Sequence, residues 1–192
     1  MVLAEDPGPE VRAAVANNRA APHGALQKLA TDSRLSIRRA VARHPSAPRP
    51  ALVSLAGDVD TKVREAVAEH PRSPANALRQ VLAQVVGYFN GEHRRHVRVA
   101  VASHPNAPVD VLRSLASDVL TSGVPASYTL ATKERETLRR CVAANPAAPL
   151  DLLRQWRARA PWRCAPAWRR IPVCRVICFA SLQAAPRASR KR

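Results

Sequence analysis

Three histidines, His44, His70 and His104, recur at matching places in the chain, and each is followed by proline. Imidazole is a common metal ligand, so a regular histidine column raises the question of a metal ladder. Spacing argues against it. Neighbouring helical layers lie about 8 to 10 Å apart, whereas two histidines on one zinc ion each need a metal–nitrogen distance of about 2.1 Å. Asn18 and Asn145 hold the same place elsewhere in the chain, and an asparagine can make the same turn or cap hydrogen bond as a histidine. The column therefore reads as structural, with no metal and no cofactor. His23, His93 and His96 stand alone. Cys141, Cys164, Cys174 and Cys178 match no zinc, cluster or disulfide framework. A nucleophile beside a base, paired carboxylates and a glycine-rich phosphate loop are all missing, and six glycines in 192 residues leave little room for the last. The residues predict no catalytic activity.

A second repeated feature is an arginine ladder, Arg12, Arg38, Arg64, Arg98 and Arg139. An acid precedes four of these by six residues: Asp6, Asp32, Asp58 and Glu92. Such a set suits arginine–carboxylate contacts along the whole array, with the aliphatic stems packed at the edge of a core.

The elements that must carry these columns are visible as internal repeats. Five segments, starting near residues 10, 36, 62, 96 and 137, align from EVRAAVANNRAAPHGALQKLATD to TLRRCVAANPAAPLDLLRQWRAR. The first three start 26 residues apart, and insertions of eight and fifteen residues precede the fourth and fifth. In the first half of each unit, apolar residues fall at i, i+3 and i+4, as in Ile37, Ala40 and Val41 or Leu138, Cys141 and Val142, which predicts one buried helical stripe. Prolines at 22, 48, 74, 108 and 149 then mark where a second helix starts. That helix buries Leu26 and Leu29, Leu52 and Leu55, Leu78 and Val81, Leu112 and Leu115, and Leu153 and Trp156. Two helices this short cannot bury their own apolar faces, so the units must stack. The predicted fold is all-α, a right-handed α-solenoid of about five two-helix repeats.

The pattern VRxAVAxHPxxPxxxLxxLAxD resembles the variant leucine-rich repeat family, which is similar in shape to HEAT and armadillo arrays. The resemblance covers roughly Leu3 to Trp156 and implies protein binding or scaffolding. Some family members carry an amino-terminal iron–sulfur cluster. No cysteine precedes Cys141 here, so that cofactor does not carry over.

Charge needs to be placed before it is interpreted. The formal net charge is +17, but nine lysines or arginines and no acids lie from residue 158 onward, leaving +8 for residues 1–157. The chain thus divides into a repeat array at 1–157, with a half-unit at 1–8, and a basic tail at 158–192 containing Arg, Trp, Pro and Cys. Its abrupt change of composition in mid-unit favours a shifted reading frame over a basic arm or a poorly ordered extension.

Positions that vary between units are where a partner would be read. On the first helices these are Ala13, Arg39, Glu65, Val99 and Arg140. On the second helices one outward column runs Gln27, Val53, Arg79, Arg113 and Arg154. Arg79, Arg113 and Arg154 form a basic stripe, which would contact phosphates or an acidic peptide if the second helices lined an inner curve. Without aromatic residues alongside, the same stripe also reads as a solvated face. Tyr88 and Phe89, in the first insertion, are candidate anchors or fold back on the solenoid. Together these features predict a non-enzymatic protein-binding scaffold with a protein partner. The alternative is a nucleic-acid-binding solenoid, including a HEAT-like DNA glycosylase, using a basic face. The amino terminus has no secretory pattern and no window reaches membrane-span length, so the expected location is a reducing cytoplasm.

Overall fold

The computed structural model describes residues 3–85, 91–120 and 132–159. Within them, a single 3-10 turn (Leu3–Glu5) is followed by helices only: α1 (Pro9–Asn17), α2 (His23–Leu29), α3 (Leu35–Arg43), α4 (Arg49–Ala56), α5 (Thr61–Glu69), α6 (Ala75–Val85), α7 (Gly91–Ser103), α8 (Val109–Leu120), α9 (Thr132–Ala144) and α10 (Leu150–Arg159). Odd-numbered helices are the first of each pair and even-numbered ones the second. None is long and apolar enough to cross a membrane.

Backbone chemistry at the turns sets these lengths. Asn18, His44 and His70 close α1, α3 and α5 in extended conformations, each returning its N–H to the valine carbonyl three residues back. A proline next in sequence favours this geometry at His44 and His70, because its ring excludes helical dihedrals from the residue before it. Pro22 and Pro48 then stand as N-caps of α2 and α4, one position before the first helical residue. Their carbonyls accept the first helical hydrogen bonds, from Leu26 and Leu52. Pro74, Pro108 and Pro149 do the same for Leu78, Leu112 and Leu153.

One continuous core joins the pairs. All the predicted second-helix residues, from Leu26 and Leu29 through Leu153 and Trp156, are buried. The first-helix stripe is displaced from its predicted position. Ala16, Ala42, Ala68, Ala102 and Ala143 are at most 1% exposed, whereas Ala40, Ala100 and Cys141 pack only at the core margin. Each interior first helix packs against the first helices before and after it and against the second helices on either side, so burial widens to i, i+4 and i+5, with Ala66 at i+3 buried as well. Val11 and Ala14 are exposed, since α1 has no preceding first helix to cover them. First helices stack directly on one another at every step, α1 on α3, then α5, α7 and α9; among second helices α4 packs as closely on α6, while α2 only grazes α4. Closer packing thus runs along the first-helix side. It is made possible by the alanines, which let backbones approach.

Candidate functional site

The histidine column is a hydrogen-bond ladder between units. His44 Nε2 lies 2.9 Å from the Asn18 carbonyl oxygen, His70 Nε2 is 3.0 Å from that of His44, and His104 Nε2 is 2.9 Å from that of His70. At the end of the ladder, Asn145 Nδ2 donates to the carbonyls of His104 and Ala102. The other ring nitrogen, Nδ1, accepts a backbone N–H two residues on, from Ser46, Arg72 and Asn106 respectively. Because Nδ1 must accept there, the proton sits on Nε2 and the rings are neutral. Both nitrogens of each ring are engaged, so none offers a lone pair to a metal. All four side chains are buried.

Burial holds the His70 pKa below its ordinary 6.5. The hydrogen bond to His44 opposes the shift, while the charge of Arg72 and the neighbouring His104 reinforce it. The unfolded chain therefore binds a proton on His70 at a higher pH than the folded chain does. Its contribution to stability is complete above about pH 6.5 and is lost as pH falls below that value. We predict that the urea midpoint of the array drops between pH 7.5 and 5.5, and that His70→Asn flattens this dependence. An unchanged slope in that variant would assign the acid sensitivity to other groups.

Along the arginine column, Arg12 donates to both oxygens of Asp32, at 2.6 and 3.3 Å, and Arg38 to both oxygens of Asp58, at 2.6 and 3.1 Å. The carboxylate partner thus lies 20 residues after the arginine. The residue six before contributes its backbone carbonyl instead: Arg12 Nη1 donates to Asp6 and Pro7, Arg38 Nη1 to Asp32 and Ser33, and Arg64 Nη1 to Asp58 and Val59. Asp32 and Asp58 accordingly serve two arginines in consecutive units, one through the carboxylate and one through the carbonyl. The hydrogen bonds from Arg12 hold the Asp32 pKa down against burial. Burial pushes Asp58 up, and Arg38 with the Asp60 N–H more than offsets it. Arg64 and Arg98 are buried at the same helix position, and Arg139 is half-buried there.

The outward column of second helices reads differently once the neighbouring unit is in view. Arg79 donates to Asp110 at 2.8 and 2.9 Å, and Arg113 pairs with Asp151 at 2.8 Å, all four side chains being about half exposed or more. Two of the three stripe arginines thus already face a carboxylate, and Arg154 is exposed. The signal was in the sequence: both offsets become 23 once the insertions of eight and fifteen residues are removed. Tyr88 and Phe89 lie outside the described residues, as do residues 160–192 of the tail. Cys141 is a free, half-buried thiol at the core margin.

The first-helix column is the less satisfied one. Ala13, Arg39, Glu65 and Val99 are half-buried and Arg140 is exposed. Glu65 faces Lys62 at 3.4 Å and His96 at 3.6 Å. Arg39 has no such partner among the described residues, and its Nε is buried without a hydrogen bond.

Residues 36–60 and 95–119 match the family model described as leucine rich repeat variant. These spans contain most of α3 with α4, and the end of α7 with α8. No curated protein and no solved structure matches the chain.

Proposed function

We propose that this helical repeat protein, two of whose units match the leucine rich repeat variant family, is a non-enzymatic scaffold that binds another protein. The observation that carries this reading is the division of labour between columns. The same histidine, asparagine, arginine and aspartate contacts recur from unit to unit and are turned inward. The positions beside them change in charge and size: Ala13, Arg39, Glu65, Val99 and Arg140 on one side, and Gln27, Val53, Arg79, Arg113 and Arg154 on the other, with Ala13, Val53 and Val99 packed in part against the core. A frame held constant under a variable surface is how a stacked array presents an extended recognition face. Arg79 and Arg113, already paired, add a polar rim rather than free charge, and Tyr88 and Phe89, in the first insertion, are proposed anchors. A cytoplasmic setting suits the unpaired Cys141 thiol.

The test is chemical cross-linking of the full chain in cells of its source, followed by reconstitution with purified candidates. A protein that binds stoichiometrically, through residues of the variable columns, is the expected result. If the chain instead binds 20-base-pair duplex DNA with a steep salt dependence and engages no protein, it is a nucleic-acid-binding solenoid and the scaffold reading is wrong.

A further inference from the structure

The first helices α1 and α3 leave a groove of about 490 Å³ between them, lined by Asn17, Arg19, Ser36, Arg39, Arg43 and His44 with three further residues, none of them acidic. Arg39 and Arg43, four residues apart, project from the same face of α3, and Arg19 enters from the turn after α1. Elsewhere in the array, Arg12 and Arg38 each face the aspartate that ends their own unit, and Arg79 and Arg113 each face an aspartate of the next unit. Arg19, Arg39 and Arg43 meet no carboxylate among the described residues. The Arg39 Nε is buried with no hydrogen-bond partner. Both His44 ring nitrogens are committed to the ladder, so the groove's charge is that of its arginines.

Three unpaired guanidinium groups around a concave surface are donors awaiting an anion, and their planar forks suit carboxylates. What continues from the groove decides the source of that anion. One unit on, the places of Arg39 and Arg43 are taken by Glu65 and Glu69, and Glu69 is exposed. A nucleic-acid backbone running along this side would leave three cations and meet two carboxylates. Nor does the groove lining include a phenylalanine, tyrosine or tryptophan on which a base would stack, and its one imidazole, His44, is buried. A peptide can change sign with the surface. We propose that the groove binds an acidic segment of a partner protein, its carboxylates on Arg19, Arg39 and Arg43, with the segment continuing to a basic residue opposite Glu69. The proposal rests on the scaffold reading and identifies the partner chemistry at one place on it.

The probe is a fluorescein-labelled peptide of six glutamates followed by three lysines, measured by anisotropy against the full chain. Arg39→Gln/Arg43→Gln is expected to weaken binding at least about tenfold. Arg79→Gln/Arg113→Gln removes the same formal charge from the opposite side and is expected to change it less than about threefold, because those arginines are already paired. Equal weakening by the two double variants, or none by the first, overturns the proposal. So does duplex DNA that binds more tightly than the peptide and is lost in Arg39→Gln/Arg43→Gln, which would make the groove a phosphate site. Should that double variant unfold, Arg43→Glu, at an exposed position, takes its place. It must weaken the acidic peptide and strengthen one of six lysines followed by three glutamates. A reconstituted protein partner whose affinity is unchanged in Arg39→Gln/Arg43→Gln sinks the groove and leaves the scaffold standing, whereas failure to find any protein partner removes the scaffold reading itself.

Discussion

Replacing His70 by leucine is expected to lower the unfolding free energy by about 3 kcal/mol, while replacing it by asparagine costs about 1 kcal/mol or less. The two variants differ in what they leave behind. Leucine fills most of the volume of the ring but strands a buried backbone group, the His44 carbonyl, and a part-buried one, the Arg72 N–H. Each loses the partner that replaced water, at about 1 to 3 kcal/mol apiece. Asparagine keeps both bonds, because the array already uses it that way: Asn145 donates from Nδ2 to the His104 carbonyl and accepts the Ala147 N–H at Oδ1. Urea denaturation at pH 7.5 checks this. Equal costs for leucine and asparagine would mean that the position matters for its volume and not for its hydrogen bonds. The His70 side chain also bonds its unit to the preceding one through the His44 carbonyl, so its loss uncouples those two units as well as weakening one turn.

The second large effect is expected at Asp58. Asp58→Asn should destabilise the array by about 2 kcal/mol. The carboxylate, 6% exposed, receives two hydrogen bonds from Arg38, which is 16% exposed, and one from the Asp60 N–H. An amide cannot accept both ends of the guanidinium fork, and its NH2 group would point at another donor. The pair is shielded enough that salt screens it only weakly. Arg38→Lys is expected to cost nearly as much, since an ammonium lacks the fork that reaches Asp58 and the Asp32 and Ser33 carbonyls together. In a double-mutant cycle with Arg38→Gln, the two losses should fall short of additivity by at least about 1 kcal/mol. Full additivity would show that the two side chains act independently.

The acid sensitivity of the two features differs in a way that separates them. Protonation of His70 begins to cost stability as pH falls below about 6.5. Asp32 and Asp58 have pKa values held below the ordinary 3.8, so their contribution is intact until pH approaches that value and is lost below it. Between the two lies a range in which His70 responds while Asp32 and Asp58 do not.

Much of the architecture was legible without coordinates because it is periodic. Proline at a constant offset from an Asn or His, and leucines three apart after it, leave the chain few choices other than a short helix, a tight turn and a second short helix. The family match at residues 36–60 and 95–119 falls on units found by self-similarity alone. The exchange of His with Asn was likewise enough to mark the column as a hydrogen-bonding position. That each ring reaches back to the previous unit was not legible, since nothing in a single unit's sequence says which neighbour's carbonyl stands opposite Nε2.

The sequence by itself determined the elements, the order of the pairs and the apolar residues of the second helices, because these follow from local backbone preferences and from period. For the arginine ladder, which charge meets which was decided only by the packing of the helices. An acid six residues before an arginine looked like its partner, yet the carboxylate comes from 20 residues after it, because stacking places the end of each second helix over the start of its own first helix. The burial of Ala16, Ala42, Ala68, Ala102 and Ala143 has the same origin: a helix packed against several neighbours buries a wider face than single-helix periodicity specifies. The stripe of Arg79 and Arg113 became a row of ion pairs, and Arg19, Arg39 and Arg43, ordinary surface residues when read in line, became three unpaired cations around one groove. Distances between units are tertiary quantities, and they decide which charges are already satisfied and which are left for a partner.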